Sequence, residues 1–133
     1  MHQWLGFLQA LPTVHQRLIA RSQRISLPRG ATADVRLERL RQAICHAATV
    51  RATFAMLAED ERAALFDLRT RRRGVSTAEL NARYGAIRPL RQLAADPTPR
   101  SIAERLLLLG WLFERCDALG RPSRWLLPLE LRG

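Results

Sequence analysis

The chain has 133 residues, 47% of them hydrophobic, and carries a formal net charge of +10 with a pI near 11.6. That length suits one domain, or two tightly packed subdomains, around a real core, and the apolar content excludes a disordered basic tail. No apolar run approaches the roughly eighteen residues of a membrane span, the longest being Leu106 to Phe113.

Residues Met1 to Leu11 lack the cationic stretch and small-residue cleavage site of a signal peptide. Cys45 and Cys116 stand far apart, with no CxxC pair and no histidine or cysteine at metal-ligand spacing. Neither a disulfide framework nor a metal site is expected, and a reducing cytoplasm is the expected compartment.

A charge of this size attracts polyanions. All 22 basic residues are arginine. Arginine suits bidentate phosphate contacts, but a GC-rich codon bias is the better explanation of its exclusive use, in agreement with the Ala- and Leu-rich composition, so the identity of the cation says little. Placement is more informative. Residues 1–33 hold Arg17, Arg21, Arg24 and Arg29 and no acid, and residues 68–103 hold eight arginines against Glu79 and Asp96. The segments between and after these two blocks are close to neutral.

In chain order, Gln3 to Leu11 reads as a short amphipathic helix closed by Pro12. Thr13 is the expected N-cap of a second helix, with Val14 and Leu18 on one face and Arg17, Arg21 and Arg24 on another. Leu27 to Gly30 is a loop, and a third helix starts near Thr32. Val50, Phe54 and Leu57 continue at helical spacing, with a break expected between Cys45 and Thr49. Glu59, Asp60 and Glu61 crowd a first turn and Arg69, Arg71, Arg72 and Arg73 a last one, which predicts a helix over 58–73 ending at Gly74. Ser76 to Glu79 matches a capping box with Val75 and Leu80 as its staple, and Gly85 stops that helix.

After a connection through Arg88-Pro89 and Asp96-Pro97, either Thr98 or Ser101 caps another helix, whose buried face is Ile102, Leu106 and Leu109. Gly110 should end it. Trp111–Arg115 and Arg124–Leu127 then read as strands of a hairpin, although a helix continuing through Gly110 to Leu119 is the rival reading, since an internal glycine costs only about 1 kcal/mol.

Helix, turn, helix, connection, helix, then a Gly-Trp-Leu-Phe strand and a hairpin, resembles a winged helix-turn-helix. Over Leu5 to Arg132, the Leu8-Gln-Ala-Leu-Pro start, the acidic turn at 59–61, Tyr84-Gly85 and the step at 109–111 resemble the N-terminal helical region of bacterial XPB-type helicase-like proteins. The resemblance implies a mainly α fold: a helical part over 1–57, then a winged helix-turn-helix with a short β-hairpin over 58–133, packed as one unit. It also implies a place beside DNA in a larger machine. The sequence departs from that pattern in two ways. Ala86 to Pro97 separates the second and third helices, and the third helix offers only Arg100 and Arg105 as long polar side chains.

Nothing assembles into a catalytic group. His2, His15 and His46 are scattered, and His46 beside Cys45 points about 100° away from it on a helix. Glu59 to Glu61 are accounted for by the helix dipole, and there is no phosphate loop and no nucleophile elbow. No enzyme activity and no cofactor are expected. Trp111 and Trp125 sit in apolar runs and should be buried; Trp4 is a candidate protein contact.

The expected function is nucleic-acid binding, most naturally double-stranded DNA, through backbone phosphates. Arg69, Arg71, Arg72 and Arg73 form the leading cluster, Arg17, Arg21 and Arg24 a second, and Arg88, Arg91, Arg100, Arg121 and Arg124 extend the surface. The alternative is a protein–protein adaptor or oligomerisation domain of a larger DNA-processing or defence complex. Its motive is the Leu-rich third helix and Trp4-Leu5-Phe7-Leu8, either of which could leave an apolar patch exposed. An RNA-associated role would use the same charge.

Overall fold

A computed structural model of the chain describes residues 3–115 and 123–132. Residues 116–122, with Cys116 and Arg121, lie outside the described residues, as does His2. The chain is mainly helical, with one small three-stranded antiparallel sheet.

The helical part comprises α1 (Gln3–Ala10), α2 (Thr13–Ser22), α3 (Ala33–Ile44) and α4 (Ala47–Met56). The break between α3 and α4 is made by Cys45 and His46, whose Nδ1 accepts the Ala48 N–H as an N-cap. Thr32 caps α3 through Val35 N–H. Thr13, expected as a cap, is instead the first helical residue after Pro12. Arg24 closes α2 in the left-handed region at φ 56°, where glycine is usual. The Ile25 and Arg24 amides reach back to the Ala20 and Arg21 carbonyls there, a Schellman closure that makes a non-glycine residue bear the strain.

The second part runs α5 (Glu59–Arg69), β1 (Val75–Ser76), α6 (Thr77–Tyr84), α7 (Leu90–Ala95), α8 (Ile102–Leu108), β2 (Phe113–Arg115), β3 (Arg124–Leu126) and α9 (Leu129–Arg132). α5 is shorter than expected. It ends at Arg69, where the Thr70 hydroxyl donates to the Asp67 carbonyl, and Arg71 to Gly74 form a separate turn. Gly74 sits at φ +75° with its α-carbon so close to β3 that a Cβ would lie 2.6 Å from the Trp125 carbonyl oxygen. That approach lets Val75 pair with Trp125 and Ser76 with Arg124, so β3 is the central strand between β1 and β2. Ser76 then caps α6 through Glu79 N–H.

Ser101 rather than Thr98 caps α8, accepting the Glu104 N–H. At its other end Gly110 takes φ +78°, and the Gly110 and Trp111 amides return to the Leu107 and Leu106 carbonyls. This Schellman stop ends the helix and overturns the rival reading of a helix through to Leu119. β2 and β3 pair in register, Phe113 with Leu126, Glu114 with Trp125 and Arg115 with Arg124.

α8 is the axis of the core. Ala103, Glu104, Leu106, Leu107 and Leu108 are all buried, and the helix packs against α2, α5 and α6. One buried cluster extends from Trp4 to Leu131. Trp111 and Trp125 belong to it, and so does Trp4, against the expectation of a surface contact. Trp4 is 3% exposed and its Nε1 donates to the Gly110 carbonyl at 2.7 Å. An indole with a satisfied N–H is well suited to such a site. Of the segments that motivated an adaptor surface, the Leu-rich helix is largely interior, whereas at the N-terminus Trp4 and Leu8 are buried and Leu5 and Phe7 half-buried.

His15 is also buried, and its Nε2 has no hydrogen-bond partner. Burial pushes its pKa down to about 4 from 6.5, so the ring is neutral in the folded chain. Between those values the unfolded chain takes up a proton that the folded chain refuses. Stability is therefore expected to fall as pH drops from about 6.5 to 4, by on the order of 3 kcal/mol in all. Urea unfolding across that range should show the loss in the wild type and a flatter profile in His15→Leu. An identical profile in both would remove His15 as its source.

Candidate nucleic-acid interface

Arginines far outnumber acids in this chain, and the fold itself consumes part of them. Asp67 and Glu79 bind Arg71 and Arg83 into one network between α5 and α6, with Arg71 Nη1 2.9 Å from Glu79 Oε2. The Tyr84 hydroxyl donates to Asp67 and ties the end of α6 to the same network. Arg41 pairs with Glu38, Arg100 with Asp96 at 3.2 Å, and Arg105 approaches Glu61 at 3.7 Å. Arg36 holds Gln16 and the Ala31 carbonyl, and Arg21 donates to the Ala94 carbonyl on α7.

Arg88 is the most deeply committed. Its Nε and Nη2 clasp both oxygens of Glu104 at 2.9 and 3.0 Å, and Nη2 also donates to the Thr98 carbonyl. Glu104 is fully buried and further accepts the backbone N–H groups of Arg88 and Arg100. Burial works to raise the Glu104 carboxyl, but the hydrogen bonds from Arg88, with those backbone donors, outweigh it and hold it below the ordinary carboxylate value. Of the expected site residues, Arg71, Arg88 and Arg100 are therefore engaged internally. Arg69 is partly covered, its guanidinium 5.6 Å from the centre of the Phe66 ring.

What remains is arginine without an ionic partner among the described residues. Arg72 and Arg73 occupy the exposed turn before β1, which the Arg132 guanidinium braces by donating to the Arg72 carbonyl at 2.8 Å. Arg124 is exposed on β3, and directly opposite it on β2 stands Arg115, also exposed. Like charges facing each other across an antiparallel pair destabilise it, so this pair has a cost unless an anion lies over it. Ser76 of β1 pairs with Arg124, and Arg73 lies in the turn that enters β1 from its other end. The turn and the hairpin thus place arginines at two ends of one sheet.

Arg115 was not among the expected site residues. It could have been found, because the hairpin register that places Arg124 in a strand places Arg115 across from it. Arg17 on α2, Arg24 at its end and Arg91 on α7 are exposed and have no ionic partner among the described residues; the Arg21 bond to Ala94 draws α2 and α7 together. Arg121 lies outside the described residues. α8 is buried in the core, and Arg100 and Arg105, the two long polar side chains offered by this region, are both turned to carboxylates of the fold.

Among the described residues no helix is long and apolar enough to cross a membrane, and no group of three or more His, Cys, Asp or Glu side chains is arranged to hold a metal. Cys45 is a free thiol whose burial raises its pKa to about 12. In comparisons with family models, curated proteins and solved structures, the chain matches none.

Proposed function

We propose that this chain is a non-enzymatic nucleic-acid-binding module that grips the phosphate backbone of double-stranded DNA without reading bases. The observation that carries the reading is the facing pair Arg115–Arg124, with Arg72 and Arg73 at the other end of the same sheet, all exposed and without ionic partners among the described residues. Internal ion pairs use much of the acid, so the net charge of +10 is expressed at such positions.

The order α5, β1, α6, α8, then the β2–β3 hairpin, with α7 inserted between α6 and α8, supports the resemblance to a winged helix-turn-helix, with the hairpin as the wing. In this reading the buried α8 is scaffold, and the wing with the α5–β1 turn makes the contacts. Phosphate contacts of this kind give affinity and orientation but little sequence choice. The resemblance to XPB-type helicase-like proteins supports a place beside DNA in a larger assembly.

Competition of unlabelled duplex DNA, single-stranded DNA and structured RNA against a fluorescent duplex tests the reading. Duplexes of unrelated sequence should compete equally, and better than either other nucleic acid. Stronger competition by structured RNA would overturn the choice of duplex DNA.

A further inference from the structure

Among the described helices, α4 alone has no buried residue, although its sequence AATVRATFAM is mostly apolar and has no acid. Val50 and Phe54, one turn apart on it, lean on the core, and Phe54 meets Phe66 of α5 edge-on at 5.8 Å. That face of α4 borders a groove of about 410 Å³. α4 lines it with Val50, Arg51 and Phe54, α5 lines it with Leu65 and Arg69, and Trp111 and Leu131 complete its apolar surface. Leu65 and Arg69 are likewise one turn apart, so each helix offers one coherent face.

Each of these two helices also brings one arginine to the groove. Neither Arg51 nor Arg69 has an ionic partner among the described residues; Arg69 lies against the Phe66 ring, 5.6 Å from its centre. Glu130, the acid that borders the groove, already accepts the Trp4 N–H on its Oε2. Trp4 stands in the first turn of α1, so the positive end of that helix faces this carboxylate. The charge left uncompensated at the rim is therefore positive, and it stands over an apolar lining. An apolar surface edged with carboxylates satisfies both. A bare polyanion would answer the arginines but gain nothing from Val50, Phe54, Leu65 and Trp111. A groove lined by two helices is also the shape that receives another helix, through side chains at i, i+4 and i+7.

We propose that this groove docks an acidic amphipathic helix of a protein partner. The apolar side chains of that helix enter over Val50, Phe54, Leu65 and Trp111, and its Asp or Glu side chains meet Arg51 and Arg69. The groove shares no residue with the four arginines assigned to DNA, so the two readings stand or fall independently.

Selection from a displayed library of random helical peptides, about sixteen residues long, on the immobilised full chain tests it. Enriched peptides should carry apolar residues at helical spacing with Asp or Glu beside them. By fluorescence anisotropy, Val50→Glu should weaken the best of them by at least about tenfold, with an unchanged circular dichroism spectrum. Arg51→Glu together with Arg69→Glu should weaken it similarly, and replacing the acids of the peptide by lysine should recover most of that loss. No enrichment, enrichment of basic or uncharged peptides, or a selected peptide indifferent to Val50→Glu overturns the proposal. Displacement of the peptide by a short DNA duplex overturns it too, by giving the groove to a polyanion. So does a wild type that dimerises in sedimentation equilibrium and loses the dimer in Val50→Glu, which would give the groove to a second copy.

Discussion

Glu104→Ala is expected to destabilise the chain by about 3–5 kcal/mol, a large part of the stability of a domain this size. The carboxylate has no exposure and receives two donors from the Arg88 side chain and one each from the Arg88 and Arg100 backbones. Its removal leaves a largely enclosed guanidinium with only Asp96, at 3.9 Å, as a counter-charge, and two backbone N–H groups without an acceptor. Glu104→Gln keeps one acceptor oxygen and should cost less. Because the folded Glu104 pKa is depressed, its contribution is complete above the ordinary carboxylate range and is lost as pH falls through the lower folded value. That loss lies at more acid pH than the one assigned to His15. Urea midpoints at neutral pH check the substitution; a change under about 1 kcal/mol would show that the clasp contributes little.

Replacing Arg72, Arg73, Arg115 and Arg124 together by Gln should weaken duplex binding by on the order of a thousandfold at about 0.1 M salt. All four side chains are exposed, so the fold should survive, and removing the facing charges of Arg115 and Arg124 should even stabilise the hairpin slightly. The loss should be the same for unrelated duplex sequences, since phosphates carry no sequence information. Arg71→Gln and Arg88→Gln are the informative contrast. Both should act on stability, through Glu79 and Glu104, and much less on the intrinsic affinity of the folded fraction.

Local signals were readable because local groups answer them. The acids at 59–61 open α5, Ser76 and Ser101 cap their helices, and Gly85 and Gly110 stop theirs at positive φ. What the sequence did not disclose is pairing at long range. β1 has only two residues, too few for a periodic pattern, and exists because Gly74 allows contact with Trp125. Arg88 and Glu104 are sixteen residues apart and meet only after α8 is packed. The cluster at 69–73 looked uniform as a string, yet the fold splits it into a ring-stacked Arg69, an ion-paired Arg71 and two arginines without an ionic partner among the described residues. Asp67 four residues before Arg71 was the available hint. Trp4 looked like a surface residue only because its partner, the Gly110 carbonyl, lies 106 residues away.

If the arginines at the two ends of the sheet that lack ionic partners among the described residues neutralise DNA phosphates, duplex affinity must depend on salt through those side chains. The most direct test compares that salt dependence in the wild type and the four-arginine variant. The wild type should give a straight line of log affinity against log salt with a slope steeper than about −3, and the variant a slope shallower by roughly three to four units. Equal slopes for the two proteins, or no duplex binding by the wild type at about 0.1 M salt, would contradict phosphate neutralisation by these arginines.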